Sequence, residues 1–201
     1  MFKKDYIFIE PHPDDMILSA GELFLRQKPQ KVITVFSSIK NDDEGTKNLC
    51  KEYGIKEYNF LKFPDIDIHM RKIQFNPSNL LLELDKNIDQ DTILVCPIGF
   101  GHMAHTFLRN LIIQNFLKTH RILFVRDFPH SYKKSGKFWN VIYMFNHLFS
   151  IDDGFEMKIE IFKKFYKSQS ALLWYDKKYF EAKPSEEYYE YKQNKNWWER
   201  K

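Results

Sequence analysis

Short apolar runs alternating with longer amphipathic stretches constrain this chain most. Five runs rich in β-branched and aromatic residues, Tyr6–Glu10, Lys31–Ser37, Glu57–Lys62, Thr92–Pro97 and Arg121–Arg126, are each apolar enough to be covered on both faces. Helix-length stretches fill the intervals: Met16–Gln27, Asp43–Tyr53, Asn76–Asn87 and Thr106–Lys118. The third opens on Asn76-Pro77-Ser78, a helix-start signature, and carries Leu80, Leu81, Leu82 and Leu84 as its apolar side. This repetition predicts an α/β fold, Rossmann-like and doubly wound, with a mostly parallel sheet in an order near 3-2-1-4-5 and helices on both faces. A chain of 201 residues holds one such domain with a full core and is short for two. Residues 1–201 are therefore read as a single domain.

Beyond Pro129 the pattern loosens. The stretch 131–150, rich in Phe, Tyr, Trp and Lys, fits a strand, a helix or an irregular flap. Met157–Leu173 reads as a helix, with Ile159, Ile161, Phe162, Phe165 and Tyr166 on or near one side. The charged, aromatic tail from Lys183 reads as a helix docked by its rings or as a partly mobile end.

Several function classes lose support at this level. The net charge of +4 is spread among interspersed acids without a dense Lys/Arg stripe, so no nucleic-acid partner is expected. No stretch approaches the roughly 20 apolar residues of a membrane span. Asp5, Glu10 and Pro11 interrupt the stretch after Lys3 and Lys4 before a signal-peptide core forms. Cys50 and Cys96 have no C-x-x-C spacing, so neither a disulfide framework nor a thiolate zinc site is indicated. A cytoplasmic location is the expectation, and a homo-oligomer is left open.

The chemistry-bearing residues collect past strand ends. His12, Asp14 and Asp15 directly follow the first strand in "IEPHPDDMILSAG", and His102 and His105 follow the fourth. In the 3-2-1-4-5 order those strands are neighbours, and the crevice at their carboxyl ends is where such sheets bind ligands. His12, Asp15 and His105 would supply a His-Asp-His set, as a hydrolytic metal site requires, with one position left for water. Adjacent residues point apart, so one of Asp14 and Asp15 is free to act as a base. His102 could then face the substrate and donate to a developing oxyanion. Asp127, after the fifth strand, could bind substrate, support a metal histidine or cap a turn. Arg126 and His130 are open in the same way. Asp65 and Asp67 in "FPDID" fit either the crevice mouth or a turn, and His69, His120 and His147 fit surfaces or element ends.

These segments resemble the PIG-L/LmbE-like family of zinc-dependent N-acetylglucosaminyl deacetylases. "PHPDDMILSAG" resembles the family's (A/P)HPDD motif, "PIGFGHMAH" its later H-x-x-H segment, "RDFPHSY" a segment near strand five and "KIEIFKKFYKSQ" a helix ending in Y-x-S-Q. The order and strand context match from residue 6 to about residue 170. The resemblance implies metal ligands His12, Asp15 and His105, a general base Asp14, and His102 as the electrophilic or acid histidine. It implies Zn2+ as cofactor, although Fe2+, Co2+ and Mn2+ suit the same donors. The implied reaction removes the acetyl group from an N-acetylated amino sugar, free or linked to a nucleotide, lipid or glycan, with Asp127 and Arg126 as substrate-binding candidates.

The chain departs from the family pattern in three places. Ala104 stands where an aspartate usually precedes the last metal histidine, Met16 where an acid is common, and "KNDDEGTKN" lacks an expected arginine. Two alternatives arise: a non-catalytic sugar- or metal-binding member that has lost turnover, suggested by Ala104, and a hydrolase of the same mechanism acting on an amide outside sugars.

Overall fold

The computed structural model describes residues 5–36, 40–66, 72–133, 142–167 and 177–192. In chain order the elements are β1 (Tyr6–Glu10), α1 (Asp15–Gln27), β2 (Lys31–Phe36), α2 (Lys40–Glu52), β3 (Glu57–Phe63), α3 (Pro77–Asn87), β4 (Ile93–Pro97), α4 (Met103–Phe116), β5 (Arg121–Val125), α5 (His130–Lys133), β6 (Phe145–Ile151), α6 (Phe155–Phe165), α7 (Lys177–Glu181) and β7 (Glu186–Tyr191). Among the described residues the strands form one seven-stranded sheet in the order β3-β2-β1-β4-β5-β7-β6. The first five run parallel, and β7 and β6 extend the β5 edge antiparallel. The α/β fold and the 3-2-1-4-5 order are thus as the sequence predicts. No described helix is long and apolar enough to cross a membrane.

Period-two alternation divides the core between the two faces of the sheet. Ile7 and Ile9 of β1, Ile33 and Val35 of β2, and Leu94 and Cys96 of β4 pack with Leu80 and Leu84 of α3 and Leu108 and Ile112 of α4. Phe8, Val32, Ile93 and Val95 point the other way, against Ile17 and Phe24 of α1, Leu49 of α2 and Ile161 and Phe162 of α6. Strands covered on both faces must be apolar at nearly every position, which is why the runs read so plainly.

The C-terminal part differs from the expectation. The tail from Lys183 contains strand β7 rather than a docked helix, and the ambiguous stretch 131–150 contributes the end of α5 and strand β6. Helix α6 begins at Phe155 and ends at Phe165. Residues 168–173 of the expected helix, like Ser37, Asp67 and His69, lie outside the described residues.

Strand β7 is secured by a buried carboxylate. Helix α1 has a non-helical Ala20 (φ −130°, ψ 26°), and just beyond it the Glu22 and Leu23 N–H groups donate to the Glu186 carboxylate at 2.9 and 3.4 Å. A side chain inserted into the helical ladder in this way accounts for the kink. The same carboxylate accepts from Lys158 Nζ at 3.1 Å and from the Tyr188 hydroxyl at 2.8 Å, with Lys158 itself 2% exposed. Glu186→Ala leaves several buried donors unpaired and is expected to cost about 3–5 kcal/mol of stability in urea unfolding. A loss under about 1 kcal/mol would mean that this network does not hold β7 to α1.

Candidate metal centre

The loop after β1 is held from three sides. Pro11 accepts a hydrogen bond from Phe36 N–H of β2 at 2.8 Å, the Thr46 hydroxyl of α2 bonds the Pro13 carbonyl, and the Tyr166 hydroxyl meets Thr46 at 2.8 Å. Glu10, 2% exposed, accepts from Met16 N–H at 3.0 Å and from the Thr34 hydroxyl at 2.6 Å, satisfying one of the free donors at the start of α1. Burial pushes the Glu10 carboxyl well above its usual range. Tyr166 belongs to the Y-x-S-Q segment, so that motif reaches the PHPDD loop through Thr46. Its Ser168 and Gln169 lie outside the described residues.

The loop after β4 folds back on the start of α4. Gly99 has φ +73°, and a Cβ there would lie 2.5 Å from the His105 carbonyl oxygen, so the close approach requires glycine. Helix α4 begins at Met103, three residues earlier than the periodicity suggests, which makes His102 its N-cap and puts His105 in its first turn. The loop after β5 is anchored by Phe128 N–H donating to Ser19 Oγ at 3.0 Å and by Phe100 N–H donating to Asp127 Oδ2 at 3.0 Å.

Three carboxylates and two imidazoles alternate across these loops. Asp65 Oδ2 lies 3.0 Å from His12 Nε2, His12 Nδ1 lies 3.2 Å from Asp15 Oδ2, that oxygen lies 3.1 Å from His105 Nε2, and His105 Nδ1 lies 2.8 Å from Asp127 Oδ1. Burial works against both imidazolium forms, but the facing carboxylates outweigh it. His12 is raised to about 10 by Asp15 and Asp65, and His105 to about 9 by Asp15 and Asp127. Burial alone would raise Asp15, yet the charge on His105 and the hydrogen bond and charge of His12 hold it well below the usual carboxylate range.

Other imidazoles close the basin. His102 packs 5.1 Å from His12 and 5.0 Å from His105 between ring centroids, and His130 lies 5.3 Å from His102 and 5.1 Å from His105. Burial, then the charge on His105, lowers both His102 and His130 to about 4. His102 Nδ1 is buried without a hydrogen-bond partner, and His105 Nε2, for all its closeness to Asp15, is not aligned for a hydrogen bond; both are costly unless another group engages them. Among the described residues two donor sets bring their ligand atoms within 4.8 Å of one another: His12, His102 and His105, and Asp15, His105 and His130. Imidazole and carboxylate donors with an orphaned, fully buried nitrogen fit a zinc-like divalent ion. Asp127 bonds His105 Nδ1, the position a carboxylate takes when it fixes the tautomer of a metal-binding histidine.

His12, Asp15, His102 and His105 therefore lie together, with the expected trio of His12, Asp15 and His105 divided between the two donor sets. Asp14 is buried at the N-cap of α1, with no side-chain capping bond. Asp127 is fully buried, with one oxygen on His105 and the other on Phe100. Arg126 pairs with Glu187 at 2.8 Å and lies 3.8 Å from the centroid of the Tyr132 ring. Ala104 is buried in the apolar core, and no aspartate stands beside His102 from that position. Asp65 and His130 enter the site more firmly than sequence alone indicates. Their signal is the position of each shortly beyond a parallel strand.

No protein-family model matches the chain, and no curated protein matches it. Solved structures do. The A40926 pseudoaglycone deacetylase Dbv21 aligns with a TM-score of 0.67 at 14% identity, covering 94% of this chain and 97% of that one. A triple mutant of the deacetylase Orf2* from the teicoplanin biosynthetic pathway aligns with a TM-score of 0.68 at 12% identity, covering 95% and 100%. The zinc-inhibited form of teicoplanin deacetylase Orf2 aligns with a TM-score of 0.59 at 13% identity, covering 85% and 86%. The chain thus has the fold of known deacetylases, in keeping with the motif resemblance.

Ion binding at His12 and His105 must displace protons, because both pKa values lie above neutrality in the metal-free protein. Zinc affinity should therefore rise with pH from about 6 toward 9, with about two protons released per ion near pH 7. Calorimetry in buffers of different ionisation enthalpy measures both. Affinity independent of pH over this range would contradict the arrangement.

Proposed function

We propose that the protein is a divalent-metal-dependent N-deacetylase acting on an acetylated amino sugar, the product pair being acetate and the free amine. The observation that carries this reading is the alternation Asp65, His12, Asp15, His105, Asp127, with Asp14 buried one residue from its centre. The likeness to structures of deacetylases favours the same reaction class.

His12, Asp15 and His105 would hold the ion, with Zn2+ as first candidate. When bound, such an ion acidifies water and polarises the amide carbonyl. Asp14 accepts the proton of the attacking water as its oxygen bonds the acetyl carbon. His102 stands neutral at pH 7, so its imidazole donates an N–H hydrogen bond to the oxyanion and supplies no full proton. The C–N bond then breaks, the proton held by Asp14 passes to the departing amine, and acetate remains. Asp65 and Asp127 act through His12 and His105, setting their orientation. Arg126, tied to Glu187 at the rim of the β5 loop, would meet polar groups of the sugar. The buried, free thiols of Cys50 and Cys96 suit the reducing cytoplasm.

Ala104 favours a second reading, in which the fold binds a sugar or metal without turning it over, since no carboxylate from that position orients His102. Acetate release from a panel of N-acetyl hexosamines by the zinc-loaded protein separates the two. The proposed function predicts release from at least one of them, and loss of about a hundredfold or more in kcat for Asp14→Asn with metal content unchanged. Full activity in Asp14→Asn would remove the base from the mechanism, and metal binding without turnover of any amide would favour the second reading.

A further inference from the structure

His130 is the histidine of the basin to which the proposed reaction gives no role. It opens α5 directly past β5, where the Asp127 carbonyl accepts from both the Ser131 N–H at 3.0 Å and the Ser131 hydroxyl at 2.6 Å. Gly101, at φ +90°, lets the backbone of His130 approach closely, because a Cβ there would lie 3.0 Å from its carbonyl oxygen and 3.2 Å from its Cβ. The two loops are thus packed so that the imidazole turns toward His105, 5.1 Å away between centroids. A ring nitrogen of His130 shares a 4.8 Å neighbourhood with an Asp15 oxygen and a His105 nitrogen, and the Nε2 of His105, on a residue 0% exposed, has no aligned hydrogen-bond partner. His12, on the opposite flank, is engaged at both ring nitrogens by Asp15 and Asp65.

We infer that His130 is a fourth protein donor to the ion, on the β5 side of the centre, sharing it with Asp15 and His105. The inference rests on the proposed metal-dependent reading and adds a residue to it. Four protein donors fill a tetrahedral shell, which is the closed pattern of structural zinc, whereas a catalytic ion needs an open position. A four-donor centre keeps a position for water only if the ion takes a fifth ligand, which zinc does in some catalytic sites and Co2+, Fe2+ or Mn2+ do readily.

Titration of the metal-free protein with Co2+, followed by its visible d–d absorption, tests the assignment without any assay of activity. His130→Ala is expected to weaken Co2+ binding at least about tenfold, the lower bound for losing even a partner of a ligand. It should also shift and intensify the d–d bands as the coordination number falls. His130→Asn, which keeps a polar side chain of similar length, should do the same, while His120→Ala, on a half-buried residue just ahead of β5 and outside the donor sets, should change neither. Unchanged affinity and spectrum in both His130 variants would overturn the fourth donor and leave the trio standing. Absence of Co2+ binding by the unsubstituted protein would overturn the metal reading itself and this inference with it.

Discussion

A buried carboxylate between two imidazoles organises this molecule. Asp15 Oδ2 lies 3.2 Å from His12 and 3.1 Å from His105, and each imidazole is backed on its far side by another carboxylate, Asp65 or Asp127. Unpaired charge at this depth would be prohibitive, and alternation of sign is what makes the burial tolerable. The same alternation would make metal binding electrically simple. One divalent cation held here would replace two imidazole protons, so the net charge of the basin would be conserved while its donors changed from N–H groups to lone pairs.

The scaffold holds this arrangement before any ligand arrives. β1 lies between β2 and β4 in parallel register, and β5 follows β4, so the loops after these strands end at one rim of the sheet. The site loops have their own buried fastenings: Glu10 on Met16 N–H, Thr46 on Pro13 with Tyr166 on Thr46, Gly99 beneath the start of α4, and Ser19 on Phe128 N–H. Side chains carried on loops gain precision from such supports, which lower the reorganisation left for binding. Ala104 is the exception. Buried in the apolar core, it offers His102 no polar support, and that imidazole is held by packing against three others.

How far the sequence can be read depends on these same forces. Strands β1, β2, β4 and β5 are legible because both their faces are covered and each run is largely apolar, whereas β3, a half-exposed edge, is read from its aromatic residues and its place in the alternation. Strand β7 is not, because Glu186 and Glu187 look like a solvated charge run until Lys158 and the kinked turn of α1 are seen to meet Glu186. Strand β6 is an edge with one neighbour and a mostly exposed face, and its pattern is correspondingly weak. In the site, PHPDD and H-x-x-H are legible as spacing, but Asp65 and His130 stand outside both, and only the sheet order brings them to the rim. The earlier start of α4 is hidden because Met103 and Ala104 carry no polar cap signal, His102 standing at the N-cap without a side-chain bond.

Anomalous scattering at the zinc absorption edge, from crystals grown with the ion, is the most direct measure of the central claim. The account predicts one peak about 2.0–2.2 Å from nitrogens of His12 and His105 and an oxygen of Asp15, with Asp127 still bonded to the far nitrogen of His105. A structure with the ion elsewhere, or with the His12 and His105 imidazoles still bridged only by Asp15 in excess zinc, would contradict it.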